Sequence, residues 1–361
     1  MQTDQHDSTE TLMEHIRLKA SQNLAHNIPF VCYAKPYSNQ VVGLFQRTAE
    51  TIAFDPEAAG FCMVSFDGTD QYLIPDTAAD CYFEQFSPTD FLWKPEAPSI
   101  DPEVQQQFEN LVAKGIQAIE THDFQKVVLS RKEIQSATPE NPFTVFERLL
   151  ALYPSAFRYL WYHPQTGIWL GATPEQLLQK TDQSLTTVAL AGTQVAAPDG
   201  PVVWGEKEQQ EQQLVTTYIC DTLQSFTENL QVSAPYTHQA GSLWHIKTDI
   251  KATLSGDWKA LVNALHPTPA VCGLPKAAAY QFILNNEGYD RKFYAGYLGE
   301  WNKNFTTFKA GDCDLYVNLR CLQWENDRVA LFVGCGINKG SNPELEFLET
   351  VNKAATVKRA L

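Results

Sequence analysis

Basic residues are scarce in this sequence, which carries 27 Lys and Arg against 42 Asp and Glu and a formal net charge of −15. Nucleic acids and anionic membrane surfaces select for basic patches, so we expect neither as a partner. An anionic small molecule would need cations gathered locally in an otherwise acidic protein. The positions of the few lysines and arginines therefore bear directly on which ligands the protein can bind.

Long apolar runs and paired cysteines are also missing. No uninterrupted apolar stretch approaches the roughly 18 residues expected of a membrane span, and the N-terminal MQTDQHDSTE lacks the apolar core of a signal peptide. We therefore expect a cytoplasmic protein. The eight cysteines occur singly, without a CxxC pair, so the pattern predicts neither a zinc site nor a disulfide framework. Free, reduced thiols are the expected state.

Low-complexity linkers and internal repeats are absent, so one unit over residues 1–361 is the expected organisation. In residues 1–100, short strand-like runs alternate with turn residues, which predicts an antiparallel sheet. Residues 101–123 carry apolar side chains at helical spacing after Asp101 and Pro102, a typical helix start. Beyond them, long strand runs interrupted by helices predict an α+β sheet architecture. Strands are expected at 126–134, 157–163, 167–172, 185–192, 242–254, 293–301, 314–324 and 328–337, and helices at 143–153, around 208 and at 341–355.

Two segments carry glutamates three residues apart. WGEKEQQEQQLV contains Glu208 and Glu211, and SNPELEFLETVNKAA places Glu346, Glu349 and Lys353 on one face of a helix. Carboxylate oxygens are hard ligands, and Mg²⁺ typically takes one or two of them from a protein. The two acidic faces are candidates for a shared Mg²⁺ site. For either segment taken alone, a solvated helix face is the alternative.

Lys126 opens the strand run KVVLSRK, in which period-two alternation groups Lys126, Val128 and Ser130 on one face. If that face is internal, desolvation lowers the pKa of the lysine and can make it a base near neutrality. The alternative is an exposed lysine at a strand end, and the sequence alone favours that alternative.

Glu175 lies in GATPEQLL, where Thr173, Pro174 and Gln176 match a capping box with proline at the first helical position. This pattern predicts a helix start. The helix dipole would lower the pKa of a glutamate in the first turn, which opposes a role as proton donor. For Glu175 to act as an acid, burial or a neighbouring carboxylate must outweigh the dipole.

Three further features are candidates for binding an anion. FVGCGINKGSNP, expected after a strand and before a helix, has backbone amides that could hold a carboxylate, although it is neither a P-loop nor a dinucleotide fingerprint. Arg320 is expected on one strand face with Tyr316 and Asn318, where it could bind a carboxylate in a bidentate manner or pair with an acidic side chain of the protein. His245 is a lone strand histidine, a pattern more typical of a core residue with satisfied hydrogen bonds.

In this order, the motifs resemble the chorismate-utilising enzyme family, which includes isochorismate, salicylate, anthranilate and aminodeoxychorismate synthases. The resemblance covers about residues 105–361, whereas the first hundred residues carry no specific signature. It implies a single chorismate-binding domain of extended sheets packed face to face, with helices outside and a deep active-site cleft. The matching stretches are FQKVVLSRK, GATPEQLL, ALAGT, EKEQQEQQLV, HIKTDI, LHPTPAVCGLP, DRKFYAGYLGEW, YVNLRC and GCGINKGSNPELEFLETVNK.

The resemblance also implies roles for individual residues. By similarity, the metal that receives the ring carboxylate of chorismate is Mg²⁺, and its site is formed by two direct ligands, Glu211 and Glu349, and two residues that hold coordinated waters, Glu208 and Glu346. Arg320 and the amide of Gly336 match the positions that hold the enolpyruvyl carboxylate. The other walls of the substrate pocket match Gly192, Thr193, His245, Thr268, Ala270, Tyr294, Gly334 and Lys353.

Lys126 matches the lysine that activates water in isochorismate and salicylate synthases, where ammonia-using relatives carry glutamine, and HPTPAVCG points the same way. The resemblance thus implies that Lys126 deprotonates water attacking C2 while Glu175 protonates the departing C4 hydroxyl. Two positions depart from the common pattern: Gln212 stands where many relatives have histidine, and Cys335 stands where alanine is common.

We therefore expect an Mg²⁺-dependent isochorismate synthase that feeds menaquinone or siderophore biosynthesis, acting as a monomer without an obligatory protein partner. Salicylate synthase, which goes on to eliminate pyruvate, is the nearest alternative. An ammonia-using synthase with an amidotransferase partner is disfavoured by Lys126. A catalytically silent binding module is disfavoured because the whole set of site residues is intact.

Overall fold

Two antiparallel sheets of nine strands each form the framework of the protein, in a computed structural model that describes residues 13–88, 100–136, 141–195, 202–241, 243–325 and 327–361. Within these ranges the helices are α1 (Glu14–Ala25), α2 (Pro102–Glu120), α3 (Pro142–Leu152), α4 (Glu206–Gln224), α5 (Trp258–Leu265), α6 (Lys276–Asn286) and α7 (Pro343–Lys358). The strands are β1 (Phe30–Ala34), β2 (Gln40–Gln46), β3 (Gly60–Val64), β4 (Gln71–Pro75), β5 (Ala79–Gln85), β6 (Lys126–Ser136), β7 (Phe157–His163), β8 (Gly167–Thr173), β9 (Gln176–Thr181), β10 (Ser184–Val195), β11 (Thr227–Val232), β12 (Tyr236–Ala240), β13 (Leu243–Leu254), β14 (Gly273–Leu274), β15 (Tyr297–Trp301), β16 (Cys313–Val317), β17 (Cys321–Glu325) and β18 (Arg328–Ile337).

The first sheet has the order β14-β6-β18-β17-β8-β7-β1-β2-β5, and the second β11-β13-β10-β9-β16-β15-β3-β4, with β12 paired to β13. The strands of the first hundred residues are divided between the two sheets, because β1, β2 and β5 join the first and β3 and β4 join the second. The antiparallel pairing predicted for this region is confirmed. These strands extend the same sheets that carry the motifs.

The two sheets pack face to face through aromatic side chains. Tyr33 of the first sheet lies 4.9 Å, between ring centroids, from Phe61 of the second, and Phe157 stacks on Tyr316 at 4.3 Å. All four belong to one buried cluster, and such offset pairs add to the gain from burying their surface. On the outer face of the first sheet, α1 and α3 cover a second apolar cluster. The predicted α+β architecture of packed sheets with helices outside is confirmed.

At α2 and α7 a capping residue precedes proline, and the first of these starts, at Asp101 and Pro102, was predicted. The Asp101 side chain accepts a hydrogen bond from the Glu103 amide, and Pro102 is the first residue of α2. Asn342 caps α7 in the same way ahead of Pro343. A side-chain cap satisfies one of the free amides of the first turn, and proline lacks the amide that would otherwise be unpaired there.

The helix predicted to start near Glu175 is absent: β8 ends at Thr173 and β9 begins at Gln176. The local hydrogen bond of a cap does form, since the Glu175 amide donates to Thr173 Oγ1 at 3.4 Å. The following residues nevertheless pair with β10 and β16. Sheet pairing from distant segments therefore overrides a local helix signal.

The single strand predicted over 314–324 is also wrong, because the chain changes sheets in the middle of it. β16 ends at Val317 in the second sheet and β17 begins at Cys321 in the first. Arg320 lies in the crossover with a φ of 48°, so it does not share a strand face with Tyr316 and Asn318. Strands buried on both faces leave no alternation in the sequence to mark such a crossover.

Two expectations from composition can be compared with the structure. The eight cysteines all lie in described residues and are unpaired, six of them buried. Among the described helices, none is long and apolar enough to cross a membrane. The N-terminal decapeptide considered in the sequence analysis lies outside the described residues, as does Ser242 at the start of one predicted strand.

Candidate active site

A pocket opens where β18 extends past the end of β17, and both sheets and two helices contribute to its wall. Eleven of the sixteen site residues expected from the sequence line it: Glu175, Gly192, Thr193, Glu211, His245, Ala270, Tyr294, Arg320, Gly334, Gly336 and Lys353. The wall is completed by apolar side chains that sequence reasoning missed, among them Leu190, Leu319, Phe332 and Val333. They lie within the quoted stretches ALAGT, YVNLRC and FVGCGINKGSNP, but as ordinary apolar residues they gave no chemical signal of their own.

Gly334 and Gly336 lie within β18, whose bounds match the strand predicted over 328–337. Gly336 lies opposite Val128 of β6. The two residues do not exchange backbone hydrogen bonds, because the Val128 amide donates to the Cys272 carbonyl on the other side of β6. In an antiparallel ladder, partners of this kind direct their backbone groups away from each other. The Gly336 amide therefore faces the pocket side, and the Gly334 carbonyl on that side accepts a hydrogen bond from Lys353 Nζ at 2.9 Å.

The absence of a side chain at Gly336 lets Glu211 lie against its Cα. A Cβ at this position would fall 1.9 Å from Glu211 Oε1 and 3.2 Å from Lys126 Cε. Any side chain would require the Glu211 carboxylate to move from its present position. The glycine thus brings the backbone of β18, Glu211 of α4 and Lys126 of β6 into one small volume.

Arg320 is a buried cation that no carboxylate of the described residues reaches within ion-pair distance. Its side chain donates to Thr356 Oγ1 at 2.8 Å, and its other terminal nitrogen lies 3.5 Å from His245 Nε2. Burial lowers the pKa of Arg320 to about 10, which leaves it charged at neutral pH. A buried guanidinium facing a pocket is placed to bind an anionic group, and the alternative of a structural acid partner is not observed.

His245 is neutral and orients one ring nitrogen toward Arg320. Its Nδ1 lies 2.9 Å from the Gly192 carbonyl, so that nitrogen carries the hydrogen and Nε2 remains an acceptor. Burial, and then the charge of Arg320, hold the pKa of His245 well below its usual value. Gly192 has a φ of +73°, and Thr193 Oγ1 lies 3.3 Å from the same Nδ1. The histidine is satisfied as expected of a core residue, and it also lines the pocket.

Glu175 is only 5% exposed, and burial raises its pKa to about 8 even though the charges of Lys126 and Lys353 oppose the shift. No helix dipole acts on it, because no helix begins there. The condition set out in the sequence analysis is met, since burial dominates. At neutral pH the side chain is predominantly a protonated acid on the pocket wall, the form required of a proton donor.

Lys126 is completely buried, so the exposed strand-end alternative that the sequence favoured is wrong. Its Nζ lies 3.0 Å from Glu211 Oε1. Burial raises the pKa of Glu211, but the charges of Lys126 and Lys207 outweigh burial, and the pKa lies below its usual range. Lys126 and Glu211 therefore form a buried ion pair beside Gly336.

The other three glutamates of the expected metal site also have partners. Glu349 pairs with Lys353 at 2.7 Å, as the helical spacing indicated, and Glu346 is in close contact with Lys207. Glu208 accepts a hydrogen bond from the backbone amide that precedes its own helix, at 3.0 Å. Within the described residues, no three His, Cys, Asp or Glu side chains are grouped so that they could hold a metal as they stand. Thr268, another expected site residue, is buried without lining the pocket.

Lys207 was missed by sequence reasoning, although it lies inside the EKEQQEQQ stretch. Burial opposes its charge, but the carboxylates of Glu346, Glu349 and Glu211 raise its pKa above the usual value. All three glutamates therefore lie near this one ammonium group. Burial, only partly offset by Lys207, raises the pKa of Glu346 to about 6, and its Oε2 is buried without a hydrogen-bond partner. A buried carboxylate oxygen without a partner, next to further carboxylates, fits the donor chemistry of a divalent cation.

Comparison with known proteins extends over most of the chain. A family model described as "Chorismate binding enzyme" matches residues 84–361. The isochorismate synthase EntC of Escherichia coli strain K12 is 32% identical over 265 residues, which cover 70% of this chain and 66% of EntC. Among solved structures, DhbC from Bacillus anthracis has a TM-score of 0.77 at 22% identity, covering 92% of this chain and 96% of that one. The menaquinone-specific isochorismate synthase MenF of Escherichia coli has a TM-score of 0.75 at 22% identity, covering 93% and 89%.

Proposed function

The chain belongs to the chorismate-binding enzyme family, and from that membership we propose that it is an Mg²⁺-dependent isochorismate synthase, an isomerase that converts chorismate into isochorismate. One observation carries the proposal. Glu175, a buried acid that is protonated at neutral pH, lines the same pocket as Arg320, a buried cation without a carboxylate partner in the described residues. The fully buried Lys126 lies directly behind the wall of this pocket. A base, an acid and a cation for the substrate are the groups that this exchange requires.

Substrate binding is proposed to use the cationic end of the pocket. Arg320 and the Gly336 amide would hold the enolpyruvyl carboxylate, since the first lacks an acid partner and the second faces the pocket. Charge-assisted hydrogen bonds of this kind are stronger than neutral ones, particularly where water is excluded. This arrangement would let a protein with a net charge of −15 bind a dianion.

The proposed chemistry is a balanced exchange of one hydroxyl for another. Lys126 Nζ accepts a proton from the water whose oxygen forms a bond to C2, both ring double bonds shift by one position, and the C4–O bond breaks as Glu175 gives its proton to the departing hydroxyl. Water is consumed at C2 and released at C4, so the product is an isomer of the substrate. Lys126 must be neutral to accept the proton, which requires it to release Glu211.

Mg²⁺ would be held by Glu211 and Glu349, with Glu208 and Glu346 contacting its coordinated waters. When bound, the ion would neutralise the ring carboxylate of the substrate. To test this assignment, Mg²⁺ binding is measured by calorimetry in Glu211→Gln and Glu349→Gln. We expect at least tenfold weaker binding in both, and unchanged binding in Glu344→Gln, an exposed glutamate on the same helix as Glu349. Wild-type affinity in both site variants would contradict the assignment.

The function itself is tested by incubating the protein with chorismate and Mg²⁺ and identifying the products. Isochorismate alone is expected. Accumulating pyruvate and salicylate would make the protein a salicylate synthase, while an aminated product formed with ammonium salts would place it with the ammonia users. Binding of chorismate without any product would make it a silent binding module.

The cellular setting is part of the same proposal. We propose that the enzyme acts in the cytoplasm as a monomer without an obligatory protein partner, supplying isochorismate for menaquinone or siderophore biosynthesis. Disruption of the gene followed by feeding with each end product distinguishes the two pathways, and light scattering gives the oligomeric state.

A further inference from the structure

A buried ion pair that the proposed mechanism does not use lies directly behind the pocket wall. Arg291 follows α6 and is only 3% exposed. Its guanidinium donates to the Val271 carbonyl at 2.8 Å and to the Val128 carbonyl at 2.7 Å. Val128 belongs to β6 and Val271 to the segment that leads into β14, and both line the pocket. One side chain therefore connects two separate walls of the site.

Glu287, at the end of α6, completes the connection. Arg291 contacts both of its carboxylate oxygens, at 2.8 and 2.5 Å, and the two side chains are 2% and 1% exposed. Glu287 Oε1 also accepts hydrogen bonds from the amide of Ser130 at 2.7 Å and from its hydroxyl at 2.9 Å. The pair thus binds β6 at two alternate residues, Val128 through Arg291 and Ser130 through Glu287.

The backbone groups of Val128 and Ser130 point away from β18, toward the other edge of β6. β14 is two residues long and pairs only with Lys126 and Val127, so it ends before this part of β6 is covered. The Val128 amide still finds the Cys272 carbonyl, but the amide of Ser130 has no strand beside it. Arg291 and Glu287 therefore take the place of a neighbouring strand along the edge of β6, immediately after Lys126.

A buried ion pair is weak evidence for stability, because desolvating two charges offsets most of their attraction, and an apolar pair can be equally stable. What distinguishes this pair is geometric. A guanidinium has five donors in a rigid plane, and here it uses them on one carboxylate and two carbonyls from different segments. Such a group sets the distance between the segments in a way that an apolar contact does not.

We infer that Arg291 and Glu287 form a positioning unit that fixes β6 against the Thr268–Cys272 segment and so sets the placement of Lys126 in the active site. The inference rests on the proposed function for the role of Lys126, but not for the structural connection. It assigns Arg291 and Glu287 no contact with substrate. Their effect on catalysis passes through the backbone of β6.

Arg291→Lys is the decisive variant, because it keeps the charge but loses the planar set of donors needed to reach Glu287 and both carbonyls. A misplacement of about 1 Å in a catalytic group can cost about 10²-fold in rate. We expect kcat for chorismate to fall at least about tenfold while KM stays within about threefold, since Arg320 and Gly336 lie on other segments. Glu287→Gln keeps an acceptor for Ser130 but loses the charge, and it provides a second test if the first variant does not fold.

Hydrogen–deuterium exchange provides a readout that does not depend on the reaction. Amides of residues 127–131 and 268–274 should exchange faster in Arg291→Lys, and those of β7 and β8 should not change. Lys303→Met serves as the control for loss of an ion pair. It breaks the pair between Lys303 and Asp76, whose charged atoms are 2.8 Å apart and which does not line the pocket. It should change neither kcat nor exchange in these segments.

The possible results distinguish the structural role of the Arg291–Glu287 pair from its role in catalysis. Unchanged exchange in both segments would overturn the positioning unit, whatever the reaction. Faster exchange with wild-type kcat, or with a raised KM and normal kcat, would show that the unit does not place the catalytic lysine. A wild-type protein that does not turn over chorismate would overturn the proposed function and the catalytic part of the inference, and exchange would still decide the structural connection.

Discussion

Burial decides the chemistry of Glu175. The sequence placed it at a helix start, where a dipole would have kept it ionised, but the structure removes the helix and surrounds the side chain with protein. Two positive charges, those of Lys126 and Lys353, oppose the effect of burial and do not reverse it. Desolvation is therefore the larger effect at this residue.

The Glu175→Gln variant should lose activity in both directions, because glutamine keeps the size and a hydrogen-bond donor but has no proton to transfer. General acid catalysis is typically worth about 10²–10⁴-fold, so we expect kcat to fall at least about 10²-fold from either chorismate or isochorismate. Steady-state kinetics in both directions checks this result. Normal turnover in either direction would mean that another group donates the proton.

The same variant should change how stability depends on pH. The folded-state pKa of about 8 lies above the unfolded value of 4.5, so between these pH values the folded protein holds the additional proton. Wild-type stability therefore falls as pH rises from about 4.5 to 8, by about 1.4 kcal/mol per pKa unit at most, and Glu175→Gln escapes this loss. In urea unfolding at pH 5, 6.5 and 8.5 without metal, the free energy of unfolding of the variant should increase relative to that of the wild type at each step. If the unfolding free energies of the variant and the wild type change with pH in parallel, the raised pKa of Glu175 is contradicted.

Lys126→Gln should abolish water attack, since the amide has no basic nitrogen. We expect the isochorismate rate to fall by about 10²–10⁴-fold, with Lys132→Gln on the same strand as the control. Removing one partner of a buried ion pair typically costs about 3–5 kcal/mol, so folding must be verified by circular dichroism before the rates are compared. A folded variant with less than a tenfold loss would show that another base activates the water.

At the level of elements, sequence reasoning succeeded where the signal is local. The helix start predicted at Asp101 and Pro102 is confirmed, and the Glu349–Lys353 pair follows from helical spacing. It failed where distant segments decide. Strand pairing replaced the helix expected at Glu175, and the crossover at Arg320 separates two strands that read as one.

At the site too, the sequence identified individual residues but not the contacts between distant ones. The resemblance supplied Lys126, Glu211 and Arg320, but not the partners that they have in the folded chain. Lys207 contacts Glu346, which lies 139 residues further along the chain, and the sequence contains no pattern that links them. Thr356 was missed for the same reason. Glu287 and Arg291 are four residues apart, but their contacts with Ser130, Val128 and Val271 form only after the sheets assemble.

The last turn of α7 contacts Arg320, the arginine proposed to bind the substrate carboxylate. Thr356 Oγ1 accepts from Arg320 at 2.8 Å, and the Thr356 carbonyl accepts from the Tyr153 hydroxyl at 2.7 Å, which ties α7 to the end of α3. Arg320 lies on a short crossover between sheets, so this contact limits the motion of a side chain that has few other restraints. α7 thereby contributes to both the expected metal site and the expected carboxylate site.

Thr356→Val should weaken substrate binding without affecting the chemical step, because valine keeps the shape and removes the acceptor. A hydrogen bond to a charged group is worth about 1.5–3 kcal/mol, and because this one already exists without ligand, its loss can raise KM for chorismate by at most roughly 10- to 100-fold, with kcat expected within about twofold. Thr222→Val, whose hydroxyl donates only within α4, is the matched control. A fall in kcat at unchanged KM would instead place Arg320 in the chemical step.

For the whole molecule, the acidic composition leaves one buried cation at the pocket without a carboxylate partner. The protein carries a net charge of −15, and Lys353 and Lys126 are paired with Glu349 and Glu211, but no carboxylate of the described residues reaches Arg320 within ion-pair distance. Fields focused in a cleft with low-dielectric walls act over short distances and are little affected by distant surface charges. A negatively charged protein can therefore offer an anionic group one buried cation, provided that this cation has no carboxylate partner of its own.

Acid pH should unfold the protein through its buried histidines. Burial lowers the pKa of both His163 and His266 to about 4, against 6.5 for the ordinary side chain. Each is tied to the backbone in its neutral form: His163 Nδ1 accepts from the Gln165 amide at 3.2 Å, and His266 Nε2 donates to two carbonyls at 3.1 Å. Protonation would remove the acceptor at His163 and place a charge among buried groups at both sites.

The sign of the effect follows from proton binding in the two states. Between pH 6.5 and 4 the unfolded chain binds more protons at these two residues than the folded protein does, so the histidines make stability fall as pH falls through this range. At about 1.4 kcal/mol per pKa unit, the two together are worth on the order of several kcal/mol. Glu175 acts in the opposite direction above pH 4.5, and its contribution is common to the wild type and to histidine variants.

The double variant His163→Asn/His266→Gln isolates this contribution, because asparagine oxygen reproduces the Nδ1 acceptor and glutamine nitrogen reproduces the Nε2 donor. We expect the variant to be less stable than the wild type at pH 7.5, where packing alone decides, and to recover relative to it by a few kcal/mol at pH 4.5. Guanidinium unfolding across this range measures the difference. A constant difference at all pH values would show that the two histidines titrate normally in the folded protein, and the loss of stability in acid would then have to come from the buried carboxylate–lysine pairs around the active site.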